Sequence, residues 1–399
     1  NKNYRVLLTA GNTVEYFKNA RTRSLTNIDI MISIIPGSVF KVKKIIIVSK
    51  INRFKFARIG GVVITMFEFV IYLKALATIL ITNSHFDTIY PISQLSMGGS
   101  IGNSIFFWVS GFCLSNIKSR GSIVVDGGAW YLHRLWRIYL PCVVAVLINT
   151  FYRYMIHIAT PNLKEILGNI VNPTVGFWFV QAILVLYILY YITVRLLDNG
   201  TLSFKVVFIT IGIIYTISYV LCVDKSYVSI ERDSLFKWIY YFAVMMLGFY
   251  CKKMKRSNAQ NKVGLLIVCS AMFVIFYGLQ FVIKRCTVLL PFQFIIHVEE
   301  VVFIYYITYL FENLESFFIE IKHKTAISKI ADSLAKITLE IYLVQMVVID
   351  LCAEHLAFPL SFVVAVVGIY VYAIIVNSIS TQVRRIVEKI VIRKKKAKI

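Results

Sequence analysis

From about residue 63 onward, long apolar runs alternate with short polar segments. A helix that crosses a bilayer needs about 20 mostly apolar residues. By that template the pattern predicts about ten spans, at roughly 63–84, 101–117, 138–157, 177–197, 203–223, 236–251, 262–283, 288–311, 334–353 and 360–380. The second and sixth are the shortest. The run IIIVS near Ile46 is too short to cross. No internal repeat or low-complexity linker divides the apolar part. The expected fold class is all-α, a polytopic integral membrane bundle of about ten transmembrane helices.

The polar segments between the runs carry the orientation. Lys43, Lys44, Arg53 and Arg58 precede the first run, whereas the next loop, SHFDTIYPISQLSMGGS, has no Lys or Arg. Cations return at Lys118, Arg120, Arg134 and Arg137, at KKMKR (252–256), at Lys322, Lys324, Lys329 and Lys336, and in the tail RRIVEKIVIRKKKAK. The intervening loops hold only a few, such as Lys164, Lys225 and Arg232. An even number of spans with both termini cytosolic satisfies the positive-inside rule throughout. Three regions are expected. Residues 1–60 form a basic cytosolic extension, either partly disordered or a mis-assigned start ahead of Met66. Residues 61–383 are the integral membrane domain, and 384–399 a basic cytosolic tail.

Composition sharpens this picture. The 399 residues are 58% hydrophobic and only 16% charged, with mean hydropathy +0.74, which excludes an ordinary soluble domain. Aromatic residues make up 15%, as interfacial belts require. The net charge of +23 raises nucleic acid as a partner. Its placement between and after apolar runs instead assigns it to topology and to anionic lipid. The seven cysteines (Cys113, Cys142, Cys222, Cys251, Cys269, Cys286 and Cys352) form no C-x-x-C pair. Neither a disulfide framework nor a metal is expected from them.

The candidate chemistry begins in the first span, GVVITMFEFVIYLKALATILITNSHF. Lys74 and His85 are eleven residues apart. On a helix they share one face, displaced by roughly 16 Å along the axis. Ionisable residues inside a span are costly and mark functional sites by default. His85 suits a general base or a nucleophile near neutral pH, with Asp87 placed to orient it. The plain alternatives are an interfacial His that reaches water and a Lys74 ion pair with Glu340, Glu299 or Glu300.

In WYLHRLWRIYLP, Arg134 and Arg137 are neighbours on a helix surface, and guanidinium forks suit phosphate. Simple positive-inside anchoring would place them equally well. GGSIGNSIFFWVSGF combines Gly98, Gly99, Gly102 and Gly111 with Ser110, a pattern for close helix packing that leaves Ser110 as a possible substrate contact. Trp178 stands at an aromatic belt and is a second candidate contact, as Asp87 is. Gln181 and Gln345 are mid-span amides, either helix–helix glue or substrate contacts. His297, Glu299 and Glu300 form a second polar cluster without an assigned role.

Together these segments resemble the membrane-bound acyltransferase-3 family over roughly residues 66–380. YLKALATILITNSH resembles its first-helix signature of a basic residue, ten residues and His, with Lys74 where many members have Arg. FFWVSGF resembles the second-helix motif. HRLWRIYLP resembles the Arg-x-x-Arg-x-x-x-Pro entry to the third helix, with Arg134, Arg137 and Pro141 in register. ITLEIYLVQ resembles a late-helix motif in which Gln345 replaces His. Ile71 and the region of Gln181 lack the acidic residues often found there.

The resemblance implies O-acetyl transfer from cytosolic acetyl-CoA to a hydroxyl, commonly of a surface or secreted polysaccharide, in a bacterial cytoplasmic membrane, without a metal. It implies His85 and Lys74 as catalytic, Arg134 and Arg137 as holding the acyl-CoA phosphates, and Asp87, Ser110 and Trp178 as substrate contacts. The expected partners are acyl-CoA, a glycan acceptor and the lipid bilayer, not nucleic acid. A glycan transporter or flippase is the competing class, and a membrane scaffold the third.

Overall fold

A computed structural model describes most of the chain from Phe67 onward, namely residues 67–117, 123–155, 163–232, 234–254 and 256–396, together with six short strands before it. The chain divides into two units, Asn1–Met66 and Phe67–Ile399. In the first unit the strands β1 (Val6–Ala10) and β2 (Thr13–Phe17), β3 (Ile28–Ile32) and β4 (Ile45–Ser49), and β5 (Phe56–Ile59) and β6 (Val62–Thr65) form three antiparallel pairs. The rest of the expectation for residues 1–60 lies outside the described residues.

The regular elements among the second unit's described residues are all helices. It contains α1 (Glu68–Asn83), α2 (Gly99–Cys113), α3 (Ile123–Met155), α4 (Leu163–Val171), α5 (Trp178–Asp198), α6 (Phe204–Cys222) and α7 (Ser234–Met254). These are followed by α8 (Lys262–Arg285), α9 (Phe294–Asn313), α10 (Glu315–Ile321), α11 (Ala326–Lys336), α12 (Thr338–His355) and α13 (Leu360–Lys396). Six helices among the described residues are long and apolar enough to cross a membrane: most of α3, α5, α6, α8, α9 and the first 28 residues of α13. The ten expected spans therefore reduce to six on length and hydropathy. The other four expectations correspond to α1, α2, α7 and α12. The 16 residues of α1 and 15 of α2 give rises of about 24 Å and 22 Å, shorter than a full hydrocarbon core. Only 17% of α6 and of α8 is buried inside the bundle, against 44% of α5. The apolar residues that α6 and α8 expose, such as Ile209, Ile213, Ile267 and Val274, face where lipid would be.

The sequence pattern misplaced several boundaries. The third span, expected from residue 138, is a helix from Ile123, so Arg134 and Arg137, expected on a helix surface at its entry, stand about three turns inside α3. The basic tail is helical through Lys396. Arg and Lys are good helix formers, and neither Gly nor Pro occurs between Gly128 and Pro141 or after Gly368.

The core is set by small residues. A Cβ added at Gly111 would lie 1.8 Å from Met245 O, and one at Gly248 would lie 2.1 Å from Trp108 O. The α2 and α7 backbones therefore meet directly at two glycines, one from each helix. A Cβ at Gly102 would lie 2.9 Å from Ala77 O, and one at Gly99 would lie 2.5 Å from Ser84 Oγ. The start of α2 is thus pressed against the end of α1, which fixes the helix that carries Lys74 and His85.

Candidate functional site

The sequence of α1 places Lys74, Thr78, Thr82 and His85 at successive steps of four, four and three residues, so one stripe of the helix is polar. The start of α1 is tied down by Glu315 of α10, whose Oε1 and Oε2 accept from Glu68 N at 3.0 Å and Phe69 N at 2.7 Å. Glu68 in turn pairs with Lys322. A carboxylate on the free amides at a helix start is favourable both as a cap and toward the helix dipole.

Between the levels of Lys74 and His85 the stripe faces a narrow cleft with room for about one water molecule. It is lined by Thr78, Ile81 and Thr82 of α1, Phe106 of α2, Phe179 of α5, and Thr338, Leu339, Ile341, Tyr342 and Gln345 of α12 or its start. Thr82 Oγ1 donates to Gln345 Oε1 at 3.1 Å, and Thr78 Oγ1 lies 3.1 Å from Thr338 Oγ1. Tyr342 Oη accepts from Phe179 N at 3.3 Å, docking α5 on α12.

At one end of the stripe, His85 is half-buried at the point where α1 unwinds. Burial pushes its imidazole below the ordinary value, and the Asp87 carboxylate pulls it back up. Asp87 itself is exposed. Neither the His85 ring nor the Lys74 ammonium is hydrogen-bonded or ion-paired to a side chain among the described residues. Asn83 shapes the loop beside His85. Its Nδ2 donates to Leu95 O and Met97 O, both at 2.9 Å, and its Oδ1 accepts from Tyr90 Oη at 2.7 Å.

At the other end, cations converge. Lys74 and Lys252 are both within electrostatic reach of Cys113. Arg134 and Arg137 are both within reach of Tyr187, which pairs with the Ser110 hydroxyl and also reaches Cys113. Tyr190 Oη donates to Gly111 O at 2.7 Å, holding α5 on α2 at the same level. Arg134 lies 3.6 Å over the Trp130 ring, and Lys252 lies 3.7 Å over Phe67. Two lysines and two arginines from three helices thus surround one end of α2.

The structure gathers some expected residues and separates others. Lys74, Arg134, Arg137 and Ser110 share the cationic end, and His85 with Asp87 stands at the opposite one. Trp178 is in neither group, because its ring carries Lys237 Nζ at 3.8 Å and stacks on Tyr241 at 6.0 Å. None of the acids considered as partners for Lys74 meets it among the described residues, and both oxygens of Glu299 have no hydrogen-bond partner there. Glu300 accepts from Ser100 and Ser104, and Glu340 lies buried within reach of Arg384. Gln181 Nε2 donates to Thr174 O at 3.1 Å, a structural contact. The sequence reading missed Thr78, Thr82, Thr338 and Lys252. The four-residue spacing of hydroxyls between Lys74 and His85 was the available signal, while Lys252 was hidden within a run that topology alone explained.

No curated protein and no solved structure matches the chain. A family model described as an acyltransferase domain matches residues 67–381, which includes both ends of the polar stripe, the cleft and all thirteen helices except the end of the last. The chain belongs to the acyltransferase-3 family of membrane acyltransferases.

Proposed function

We propose that this protein moves an acyl group, acetyl foremost, from cytosolic acyl-CoA to a hydroxyl of a surface or secreted polysaccharide, across a bacterial cytoplasmic membrane. One observation carries the reading. A cluster of cations and a half-buried imidazole stand at opposite ends of one polar helix stripe, with a cleft between them. In the proposed topology α1, α2, α7 and α12 complete a ten-span bundle with both termini cytosolic. The cationic end then faces the cytosol, where acyl-CoA is found.

Arg134 and Arg137 hold the phosphates of the donor, with Lys252 and Lys74 adding charge. The pantetheine arm follows the α1 stripe past Thr78 and Thr82. The separation of roughly 16 Å between Lys74 and His85 is about the length that an extended arm covers. That separation bears on the catalytic role expected of Lys74, which would be to stabilise the thioester oxyanion or to hold the donor in place. An ammonium at the donor end cannot touch a carbonyl beside His85, so Lys74 holds the donor rather than stabilising an oxyanion.

At His85 the neutral imidazole takes the proton of the acceptor hydroxyl as the oxygen attacks the thioester carbonyl. The C–O bond forms, the C–S bond breaks, and the proton passes from the imidazolium to the departing thiolate. In the other order the imidazole nitrogen attacks first, and an acyl-imidazole passes the acyl group to the hydroxyl.

The test uses membrane vesicles supplied with labelled acetyl-CoA and isolated surface glycan. Wild type should release free CoA only when glycan is present and should label the glycan. His85→Asn should lose at least about 100-fold of that rate, within the range set by general acid–base catalysis, while remaining folded and inserted. Unchanged transfer in His85→Asn, or glycan moved intact without release of CoA, would replace this reading.

A further inference from the structure

On the side of α2 away from the cleft, three ligand-type side chains converge. Atoms of Glu231, His297 and Glu300 all lie within 4.8 Å of one another. Glu231 comes from the loop between α6 and α7, and His297 and Glu300 come from the first turns of α9. Glu300 is 0% exposed and His297 2%. The Glu231 side chain is 39% exposed and provides a route of entry. We propose that these residues form a binding site for a divalent transition-metal ion of the zinc class, independent of the proposed acyl transfer and against the expectation stated above that the protein holds no metal.

The imidazole is set as a metal-ligating histidine is usually set. Its Nε2 lies 3.0 Å from Glu231 Oε1, and its Nδ1 lies 3.0 Å from Tyr215 Oη. With Nε2 on an ion, Nδ1–H donates to the tyrosine oxygen, the outer contact that fixes the tautomer and ring orientation in metal sites. Tyr240 stacks flat on the ring with centroids 3.8 Å apart and holds it in that orientation.

The hydrogen-bond inventory leaves a place for positive charge. Ser100 Oγ lies 2.5 Å from Glu300 Oε2 and 3.2 Å from Glu231 Oε1. One hydroxyl proton cannot serve both carboxylates. Ser104 donates to Glu300 Oε1 at 2.6 Å, and Tyr241 donates to Glu231 Oε2 at 3.2 Å, so the one further proton available between the two carboxylates is on His297 Nε2, 3.0 Å from Glu231 Oε1, where a metal ion would take its place. Two carboxylates share this pocket, and Lys237, whose Nζ donates to Glu231 O at 3.3 Å, supplies at most one compensating charge. Two carboxylates sharing one low-dielectric site disfavour each other's charge unless a proton or a cation lies between them. Asn103 adds an independent sign. It is 8% exposed, its amide meets Tyr241, the donor to Glu231, and its Oδ1 has no hydrogen-bond partner. An unused acceptor therefore stands on the side chain that meets the Tyr241 hydroxyl, one contact removed from Glu231.

One imidazole with two carboxylates and nearby hydroxyls favours Zn²⁺, or second Mn²⁺, over Mg²⁺ and Ca²⁺, which take oxygen alone. Movements of about an ångström bring the three atoms to the usual zinc distances of about 2.0–2.2 Å. Such an ion would tie α2, the loop before α7 and α9 together just beyond the Gly99–Ser84 contact that leads to His85.

The full-length protein, purified in detergent with its affinity tag removed and stripped by chelator, is titrated with Zn²⁺ by calorimetry. One ion per chain is expected, with a rise in melting temperature that chelator reverses. Glu300→Gln, Glu231→Gln and His297→Gln keep side-chain size and should each weaken binding at least about 100-fold. Asp224→Asn, in the same loop but exposed, should bind as wild type does. If stripped wild type takes up neither Zn²⁺ nor Mn²⁺ and melts alike with and without them, a shared proton fills the gap and the proposal fails. It fails equally if the three variants bind normally, or if Asp224→Asn loses as much as they do. None of these readouts depends on acyl transfer.

Discussion

At His85 two influences oppose each other, and burial is the larger. The imidazole therefore stays neutral to a pH below its ordinary value of about 6.5. A general base acts only when neutral, so transfer should persist as pH falls and be lost through an acid limb below that value. Asp87 works the other way by favouring the imidazolium. Asp87→Asn should therefore move the acid limb of kcat/KM to still lower pH, by less than about one unit because the carboxylate is exposed and screened. A limb that stays put or rises would remove Asp87 from the electrostatics of the site. The cationic end predicts a different signature. Arg134→Ala and Lys252→Ala should raise KM for acyl-CoA about 10-fold or more with kcat largely kept, because contacts to a remote phosphate bind ground and transition states alike. The His85, Lys74 and arginine positions were legible because charge inside apolar sequence stands out. Lys252 was not, because a cation at the end of an apolar run already has a sufficient explanation in topology.

The elements α1, α2 and α7 form the part of the bundle that holds the stripe in place, and their contacts are nearly at backbone distance. Gly111→Ala and Gly248→Ala would each drive a methyl into a carbonyl of the facing helix. Each should cost about 1–3 kcal/mol, the usual range for overpacking, read as a lower melting temperature in detergent. Gly212→Ala on α6, where an added Cβ meets nothing, should be near neutral. The cap on α1 gives a second test at this scale. Glu315→Ala frees the amides of Glu68 and Phe69 and should cost about 0.5–2 kcal/mol. It should also weaken donor binding, because Lys74 rides on the helix whose start is released. The glycines were readable from GGSIGNSIFFWVSGF as packing residues, but their facing partners in α7 were not. Likewise α3 and α13 run well past the expected limits, because a membrane pattern locates the apolar segment while the helix continues through charged residues that favour it.

At the scale of the whole molecule the chain order of apolar runs gave the helical class and the approximate order of helices. It did not distinguish helices that meet the full length of a bilayer from shorter ones inside the bundle. The reason is physical. The burial of α1 and α2 among other helices lets them carry Lys74, Asn83, Asn103 and Ser104 at lengths that lipid-facing helices such as α6 and α8 could not sustain. The same reasoning makes orientation the decisive prediction. His85, Asp87 and the loop pinned by Asn83 lie at one end, and Lys252, Lys253 and Arg256 lie at the other. A donor that enters among cations and an acceptor that meets His85 require these ends to face opposite compartments. In a cysteine-free background, Asp87→Cys should react with a membrane-impermeant thiol reagent added outside intact cells. Lys253→Cys should react only after the membrane is opened. Reaction of both from outside, or of Lys253→Cys alone, would place the donor end away from the cytosol. It would exclude acyl-CoA as the direct donor, since a coenzyme confined to the cytosol could not reach Arg134 and Arg137.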